Sequence, residues 1–452
     1  MRRGAARPAS ALATLILLTG TGSVTAQDAL PDTLDIQRAL SIAMTSSPTL
    51  SQAQAALDQA GANRTASWGA FLPTASIGMN LSRNNFTTNS FLTPEGEAEI
   101  LPNPLTSQSQ SGSQGLNIGW TVFDLQRIAT YREQGENVIA SRQRLDDQRL
   151  AVVADVRRRY VEALRRQTLL DLSQRQILDR ELELDIARRR YEIGAVELSD
   201  VLAAETLLLN AEVSLLSETS QLESGLQALS VSLGMPAHEG PGTALVDIVE
   251  LPDASTLQRE TLVAYALNED PEIRALQADR SAANASLWGT RSRFLPTIQL
   301  GFNLGRSEQF GPGADLFQFD FSNTSRNFSI SASWQLFDGF SRTSQARSAS
   351  AREFQASESL RERRLTIERE VRRFLREIEQ ISQALVLLER ALQISEERLR
   401  MTRLQYQNST ANFTTLQQAI STVTQAERQL IEQRYNYLNA WTNLEEYVGD
   451  VR

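Results

Sequence analysis

Residue types that carry out catalysis or hold metal ions are scarce in this 452-residue sequence. There is no cysteine, and the single histidine, His238, lies in a segment that contains Pro and Gly. Disulfides and thiolate metal sites are therefore excluded, and a lone loop histidine is more often solvated than a ligand. No Gly-rich phosphate loop leads into a lysine, and no residue pair has the spacing of metal ligands. We expect no enzymatic activity and no metal or other cofactor.

Charged residues are numerous but mixed in sign along the chain. The 45 basic residues are all arginine and stand against 54 acidic residues, which gives a formal net charge of −9. No basic face of the kind that binds nucleic acid is visible, so we expect no nucleic-acid partner. The carboxylates recur within helical patterns and are typical of solvated helix faces rather than of acid–base pairs.

The N-terminal residues have the pattern of an export signal. Three arginines precede a short apolar run, Ala11–Leu18, and a small-x-small cleavage site, Val24-Thr25-Ala26, follows it. This pattern predicts a signal peptide at residues 1–26. The apolar run is too short to span a bilayer, and no later stretch of the sequence is apolar enough to hold the chain in an inner membrane. We therefore expect the mature chain to be exported.

Long helices organise the remainder of the chain. Apolar residues recur at every seventh position in two rows, and the second row repeats the first at an offset of 215 residues, as from Val156 to Val371. The first row is Val156, Ala163, Leu170, Ile177, Leu184 and Tyr191, and the second is Val371, Ile378, Leu385, Leu392, Leu399 and Tyr406. Returning rows, from Val201 to Leu229 and from Leu416 to Leu444, keep the same offset. A seven-residue row is the seam of a coiled coil, so the sequence predicts a duplicated long helical hairpin.

Two predicted strands precede each hairpin. Apolar and small polar residues alternate at residues 75–81, 116–122, 298–304 and 328–336. The alternation predicts strands with one apolar and one polar face. A hairpin in a soluble sandwich is the alternative interpretation. Small polar residues suit a wet channel, however, and no other predicted sheet covers the apolar faces, which favours a membrane wall. The residues predicted to face lipid are Trp120, Phe302 and Trp334.

Prolines and polar segments delimit these strands. Each strand pair follows a helix that ends at the tetrapeptide Phe-Leu-Pro-Thr. The polar segments between paired strands, Arg83–Gly115 and Arg306–Asn327, are predicted to be exposed loops. Each second strand leads into a helix through the sequence Trp-x-x-Phe-Asp, which makes Asp124 and Asp338 the predicted helix N-caps.

The motifs at these junctions and at the helical turns resemble those of the TolC-type outer-membrane efflux protein family. They are the Phe-Leu-Pro stops at Phe71–Pro73 and Phe294–Pro296, the junctions Trp120–Asp124 and Trp334–Asp338, Gly339 with Arg342, and Tyr191-x-x-Gly194 followed by Leu198–Leu202. The resemblance covers nearly all of the mature chain, in both copies. It implies a mostly helical α+β fold in which three chains form a 12-stranded outer-membrane β-barrel, continued by a periplasmic α-helical barrel.

The number of strands and the length of the helices lead to an architecture that is compatible with this resemblance. Four strands cannot close a barrel, whereas three copies of the chain would supply twelve. From Asp124 to Tyr191 the first long helix would measure roughly 100 Å, which exceeds the thickness of any bilayer. The predicted segments are the signal peptide at 1–26, a first repeat at 27–234 (helix, strand pair at about 75–123, hairpin at 124–234), a linker in the equatorial region at 235–256, and a second repeat at 257–452 (helix, strand pair at about 297–337, hairpin at 338–449).

The function that the resemblance implies is that of an exit duct for a tripartite efflux pump or a type I secretion system. The expected partners are two further copies of the chain, outer-membrane lipid, a periplasmic adaptor protein and an inner-membrane transporter. The expected location is the outer membrane, with the helical part in the periplasm. The alternative is a soluble periplasmic coiled-coil adaptor or scaffold protein, but an adaptor would ordinarily have one hairpin within a β-rich domain.

Members of the family close the tunnel at the periplasmic turns of the helices. The gate candidates that this implies are Tyr191, Gly194, Asp200, Tyr406, Thr415 and Gln418. Several members have acidic residues at the second turn, but residues 412–418 carry no charge here, so an acidic ring is not carried over. For Asp200, a solvated or helix-capping role remains an open alternative. The second turn has Asn408-Ser409 where the first has Gly194, and Asn is the non-glycine residue that we expect to take the left-handed conformation.

Overall fold

The structure, a computed structural model, describes residues 33–92, 94, 96, 98–236, 243–248, 251–254, 257–310 and 323–449. The predicted signal peptide at residues 1–26 and His238 lie outside the described residues, as do parts of the predicted linker.

The two halves of the chain pass through the same order of main elements: two helices, two strands, one long helix and a shorter returning helix. The elements are β1 (Thr33–Leu34), α1 (Ile36–Ser46), α2 (Pro48–Gly69), β2 (Thr74–Leu92), β3 (Ala98–Phe123), α3 (Leu125–Glu192), α4 (Leu198–Ser232), β4 (Ala244–Leu245), α5 (Arg259–Glu269), α6 (Pro271–Ser292), β5 (Thr297–Phe310), β6 (Asn323–Ser333), α7 (Ser341–Gln407) and α8 (Phe413–Val448).

The long helices α3 and α7 have 68 and 67 residues, or roughly 100 Å each at 1.5 Å per residue. Their seam residues Val156 and Val371 are fully buried. Beside α3, helix α4 ends where α1 meets α2, and Gly234 there packs so tightly on Ser46 that a Cβ would lie 2.3 Å from its carbonyl oxygen. Helix α2 thus continues the line of α4. Over the described ranges, no helix combines the length and the apolarity needed to cross a membrane.

Four of the eight helices in the described part of the chain, α1, α3, α6 and α8, begin behind a residue whose side chain accepts a hydrogen bond from a first-turn amide. The Asp124 side chain accepts a hydrogen bond from the Gln126 amide, as the sequence predicts for a cap of α3. The prediction for Asp338 is correct only in part: α7 begins at Ser341 with Phe340 as its N-cap residue, but the Asp338 side chain accepts a hydrogen bond from the Arg342 amide in the first turn. Gly339 and Phe340 both adopt left-handed backbone conformations, with φ of 64° and 69°, which delays the start of the helix.

The strands form one antiparallel four-stranded sheet in the order β2-β3-β5-β6, and β1 pairs with β4 in a separate parallel pair. The predicted loop Arg83–Gly115 is wrong, because β2 extends to Leu92 and β3 starts at Ala98. Its Asn, Ser, Thr and Gln residues are paired in a ladder that satisfies their backbones, although neither face is apolar there. The predicted loop Arg306–Asn327 is also too long, since β5 reaches Phe310 and β6 begins at Asn323. Residues 311–322 lie outside the described residues.

Candidate functional site

The turns between α3 and α4 and between α7 and α8 pack together at the end of the helices farthest from the sheet. Gly194 has a φ of +71° in the first turn, and Ser409 has a φ of 61° at the equivalent position of the second. The prediction that Asn408 takes this conformation is wrong, since its φ is −86°. Ser409 holds the strained position while its side chain accepts a hydrogen bond from Arg190.

An apolar cluster joins the two turns, which we call the tip cluster. Its buried members are Leu184, Ala187, Val201, Ala204, Tyr406, Phe413, Leu416 and Ile420. Within it the rings of Tyr406 and Phe413 lie with their centroids 6.0 Å apart. The cluster contains residues of both hairpins, so the two repeats close on each other at this end rather than separately.

Arg190, in the last turn of α3, connects the first hairpin to the second. Its guanidinium Cζ lies 4.4 Å from the centroid of the Tyr406 ring. The guanidinium also donates to the Tyr406 carbonyl oxygen and, at 2.8 Å, to the Ser409 hydroxyl. Arg190 therefore covers the ring and satisfies a carbonyl at the C-terminal end of α7, where a cation is favoured by the helix dipole.

Tyr406 is buried to an extent that its counterpart in the first repeat is not. The side chain of Tyr406 is 3% exposed, whereas that of Tyr191 is 45% exposed. The Tyr406 hydroxyl has no hydrogen-bond partner among the described residues. Burial raises its pKa, the Arg190 charge opposes that rise, and the charges of Asp200 and Glu183 add to it. Tyr191 and Tyr406 thus occupy equivalent positions in the sequence but are packed differently.

Glu183 is a buried carboxylate next to the tip cluster. It is bonded to Arg180 at 2.9 Å and lies 3.7 Å from Arg403 of α7. Its Oε1 atom has no hydrogen-bond partner in the described part of the chain. Burial raises the pKa of Glu183, against the lowering effect of Arg180 and Arg403. Within the described ranges, no group of three or more His, Cys, Asp or Glu residues is placed to hold a metal ion.

The other gate candidates lie around this cluster, and two of them meet in the first turn, where the Gly194 amide donates to the Tyr191 carbonyl oxygen at 2.9 Å. Asp200 is half-buried in the first turn of α4, behind the cap residue Glu197, so it does not cap the helix. The Thr415 hydroxyl and amide both donate to the Asn412 side chain, which caps α8. Gln418 is exposed on α8. Of the predicted set, the structure brings Tyr406 into the electrostatic reach of Asp200 and leaves the rest on the periphery.

Arg190 and Glu183 are the two residues that sequence reasoning missed at this site. Both lie in highly charged parts of α3, where charges are expected to be solvated. The seven-residue row could have identified both residues from the sequence, since Glu183 and Arg190 lie directly before the seam residues Leu184 and Tyr191. Positions next to a seam are the ones that face a neighbouring helix in a bundle.

One face of the four-stranded sheet is apolar and has nothing packed on it within the described residues. Across the strands, Trp120 lies opposite Leu300, and Leu300 opposite Ile330. The next row is Ala75, Ile118, Phe302 and Phe328. Ile330 and Phe328 are each more than half exposed. The predicted strand at 328–336 is too long, because β6 ends at Ser333 and Trp334 lies one residue beyond it.

The opposite face is made of small polar residues. One row is Ser76, Asn117, Asn303 and Asn327, and the next is Gly78, Gly115, Gly305 and Ser325. The Asn303 amide donates to the Asn117 side chain across two strands. Where all four strands are paired, the two charged residues, Arg306 and Arg326, both lie on the apolar face. The polar face is therefore neutral over this part of the sheet.

Two tryptophans tie the sheet to the helices that precede its strands. The Trp120 indole donates to the Phe71 carbonyl oxygen at 2.9 Å, and the Trp334 indole to that of Phe294 at 3.0 Å. An indole whose body is apolar and whose N–H is satisfied suits the boundary between lipid and water. This bond explains why the Phe-Leu-Pro and Trp-x-x-Phe-Asp motifs occur together in each repeat.

Two arginines reinforce the same junction. Arg127 donates to the Ala70 carbonyl oxygen, and Arg342 donates to the Arg293 carbonyl oxygen at 3.2 Å. Arg342 is also bonded to Asp338 at 2.9 Å. The Asp338 carboxylate thus positions this arginine and also accepts a hydrogen bond from the Arg342 backbone amide, in the first turn of α7, at 2.9 Å.

The outermost helices near the turns carry apolar stripes that nothing covers within the described chain. Helix α3 contacts α4 and α8, and α7 contacts α8, which gives the lateral order α4, α3, α8, α7. The stripe of α4 is Leu202, Leu209 and Leu216, and the stripe of α7 is Leu387, Ile394 and Met401. All six residues are more than half exposed. Both stripes have the seven-residue spacing of a coiled-coil seam that lacks its partner.

The model of the outer membrane efflux protein family matches residues 39–235 and 262–450. The toluene efflux pump outer membrane protein TtgF of Pseudomonas putida is 28% identical over 233 residues, which are 51% of this chain and 45% of that protein. Nodulation protein T of Rhizobium leguminosarum is 23% identical over 206 residues, 45% of this chain and 43% of that protein. The chain spans about half the length of the curated relatives it matches.

Solved structures share the fold over most of the chain. The CmeC outer membrane channel of Campylobacter jejuni superposes with a TM-score of 0.74 at 16% identity, over 92% of this chain and 85% of that one. The outer membrane protein VceC of Vibrio cholerae superposes with a TM-score of 0.71 at 18% identity, over 92% and 96%. At such identities the likeness shows the fold alone.

Proposed function

Because the chain belongs to the outer membrane efflux protein family and lies in the outer membrane with its helices in the periplasm, we propose that it is the exit duct of a tripartite efflux pump. The working unit in this proposal is a ring of three copies, which receives cargo from an inner-membrane transporter through a periplasmic adaptor. The names of curated relatives include toluene and antibiotic efflux, which favours small apolar molecules over secreted proteins as cargo. A soluble adaptor or scaffold is incompatible with the outer-membrane location.

The observation that carries the proposal is that the sheet, the helices beside the sheet and the helices near the turns all have unpaired elements at their two edges. The sheet has β2 and β6 at its two edges. Helices α2 and α7 are outermost beside the sheet, and α4 and α7 are outermost near the turns. An edge strand or an apolar stripe needs a partner. A ring satisfies all of them at once, because each first-repeat edge meets the second-repeat edge of the next copy.

The two apolar stripes match in height. Leu209 and Ile394 are each 15 residues from the left-handed residue of their own turn, Gly194 and Ser409. The other stripe residues pair at equal distances in the same way, Leu202 with Met401 and Leu216 with Leu387. Since α4 and α7 run in opposite directions, the α4 stripe of one copy fits the α7 stripe of its neighbour.

Within this ring, the apolar face of the sheet contacts lipid and the neutral polar face lines the channel. Trp120, Phe302 and Trp334 would then face lipid. At the other end, the tip cluster is the gate, and Arg190 holds its two hairpins together through Tyr406. Residues Gly194, Asp200, Thr415 and Gln418 border the opening in this arrangement, and Tyr191 is free to contact a neighbouring copy.

Thiol cross-linking tests the ring directly, because the chain has no cysteine of its own. The double variant Leu209→Cys/Ile394→Cys should form disulfide-linked dimers and trimers in membranes, since bridged Cα atoms must lie within about 7 Å. The control is Leu209→Cys/Glu396→Cys, in which the second cysteine stands at the same height on another face of α7. Monomers in both variants, together with a protein that stays soluble without detergent, would contradict the ring.

Cargo is tested in the cell. Removal of the protein from its host should increase sensitivity to toluene and to apolar antibiotics, and the wild-type chain should restore resistance. Unchanged sensitivity combined with the loss of a protein from the culture medium would assign the duct to type I secretion instead.

A further inference from the structure

Two arginines stand on the apolar face of the sheet toward the end that lies away from the helices. Arg306 belongs to β5 and Arg326 to β6, and the register places Arg326 opposite Leu304 and Arg306 opposite Thr324. Both residues are exposed. Diagonal neighbours on one face of a sheet are about 7 to 8 Å apart, which lets two long side chains reach the same ligand.

The position of the pair along the strand sets its depth in the membrane. From Ile298, at the helical end of β5, to Arg306 the strand rises about 27 Å at 3.3 to 3.4 Å per residue. With the usual tilt of 35 to 45° this is about 20 Å along the membrane normal, close to the 25 Å height of an outer-membrane apolar band. The Trp120 and Trp334 indoles mark the inner edge of that band. Arg306 therefore lies at its outer edge, and Arg326 lies just inside with a side chain long enough to reach outward.

From this placement we infer that Arg306 and Arg326 bind phosphate groups of the lipopolysaccharide in the outer leaflet. The inference rests on the proposed orientation of the apolar face toward lipid. Charge complementarity supports this ligand, because a phosphorylated glycolipid is the anionic lipid that reaches this depth from outside. Arginine is suited to it, since its planar guanidinium binds phosphate with two parallel hydrogen bonds.

The two other assignments for these arginines fit the structure less well. A role in attracting anionic cargo would place them on the polar face, but the rows there are neutral in the fully paired part of the sheet. A phospholipid of the inner leaflet would meet the sheet near Trp120 and Trp334 instead, at the opposite end of the strands. Arg83 of β2 and Glu308 of β5 lie on the same face but farther from the helices. Arg306 and Arg326 are therefore the basic residues nearest to the outer edge of the apolar band.

The test uses the purified full-length protein in a non-ionic detergent. Binding of bis-phosphorylated lipid A is titrated by native mass spectrometry for wild type and for the double variant Arg306→Gln/Arg326→Gln. The double variant should bind at least about tenfold more weakly, because charge-assisted hydrogen bonds are lost. The control Arg364→Gln/Arg376→Gln removes the same charge from exposed positions of α7 and should bind as wild type does.

Two comparisons identify the ligand. Wild type should bind dephosphorylated lipid A and phosphatidylglycerol more weakly than bis-phosphorylated lipid A. Equal affinity for phosphatidylglycerol, or equal binding of lipid A by the double variant and wild type, would overturn the inference. If the Gln variant fails to assemble, Arg306→Lys/Arg326→Lys replaces it, with an intermediate loss of affinity expected from the retained charge and the missing bidentate geometry.

Single cysteines separate this inference from the proposed function. Phe302→Cys should react with a lipid-phase maleimide and Asn303→Cys with a water-soluble one. Reversed labelling would refute the orientation of the sheet itself. The expected labelling with unaltered lipid A binding in the double variant would refute only the arginine site.

Discussion

The guanidinium of Arg190 lies over the ring of Tyr406, with its Cζ atom 4.4 Å from the ring centroid. This contact spans the two repeats, and the same guanidinium donates to the carbonyl oxygen of Tyr406. A cation on an aromatic face contributes about 0.5 to 2 kcal/mol, depending on its desolvation. The pair is thus a direct link between the hairpins at the end that we propose as the gate.

Loss of Arg190 should open the gate. We expect Arg190→Gln to raise single-channel conductance in planar bilayers, because the cation–π contact and the bond to Ser409 both disappear, and to leave the amount of trimer unchanged. Arg189→Gln is the matched control, since Arg189 is exposed and its ion pair within the described ranges is with Asp185 of its own helix. Identical conductance of both variants and wild type would place the gate elsewhere.

The ring of Tyr406, and not its hydroxyl, should hold the tip cluster. Tyr406→Ala removes a buried ring, at an expected loss on the order of 3 kcal/mol, and should raise conductance and sensitise cells to large antibiotics. Tyr406→Phe removes only a buried hydroxyl that lacks a partner among the described residues, so conductance should match wild type. A raised conductance in the Phe variant would show that the Tyr406 hydroxyl has a hydrogen-bond partner in the assembled trimer. Asp200 would be the first candidate for that partner.

Glu183 should make closure depend on pH. Burial raises its pKa above the ordinary value of 4.5, so the folded tip binds this proton more tightly than the unfolded chain does. Its contribution to stability is lowest above the raised pKa and increases as pH falls from that value toward 4.5. Conductance of wild type should therefore decrease as the periplasmic side is acidified within this window. Glu183→Gln should show low conductance throughout, and the exposed control Glu181→Gln should keep the wild-type profile.

The two faces of β6 should tolerate charge unequally. Ile330 and Ser331 are adjacent and point to opposite faces. Ile330→Asp should reduce the yield of trimer, because Ile330 lies in the row of Trp120 near the inner edge of the apolar band, where a charge facing lipid costs up to about 1 kcal/mol, whereas Ser331→Asp should assemble normally. Equal yields on semi-native gels would remove the assignment of faces. Trp334 is a poorer probe, since it lies past the strand and its indole is bonded to Phe294.

The indole bonds should set how firmly the barrel is joined to the tunnel. Trp120→Phe/Trp334→Phe keeps two aromatic rings and deletes both N–H donors. We expect about 1 kcal/mol per bond to be lost, seen as a lower temperature for trimer dissociation with unchanged conductance. Trp68→Phe, which alters an exposed indole of α2, serves as the control and should dissociate at the wild-type temperature.

Sequence periodicity was sufficient for the main elements, because heptads and alternating strands are local patterns, and the motifs at the junctions and turns carried the resemblance to the family. The family match confirms the resemblance, the outer-membrane location and the absence of an enzymatic role. The extent of β2 and β3 was not predictable in this way. Their outer halves lack the alternation of apolar and polar residues, and a cross-strand ladder pairs them from Arg83 to Thr88 and again from Ser90 to Leu92.

The candidate site was less accessible to sequence reasoning than the fold. The contact between Arg190 and Tyr406 joins residues from different repeats, and no local pattern contains it. The duplication even suggested that Tyr191 and Tyr406 are equivalent, although only Tyr406 is buried. The start of α7 was misplaced for a different reason, since Gly339 and Phe340 turn the backbone left-handed before the helix can begin.

The two open edges of the sheet have a genetic consequence. A subunit whose β2 edge pairs normally but whose β6 edge is damaged would still be accepted by one neighbour and would leave the proposed ring unclosed. In a cell that makes both normal and damaged subunits, the share of intact rings would fall with the cube of the normal fraction. Alleles that alter β6 should therefore be dominant over wild type, whereas alleles that abolish the chain should be recessive.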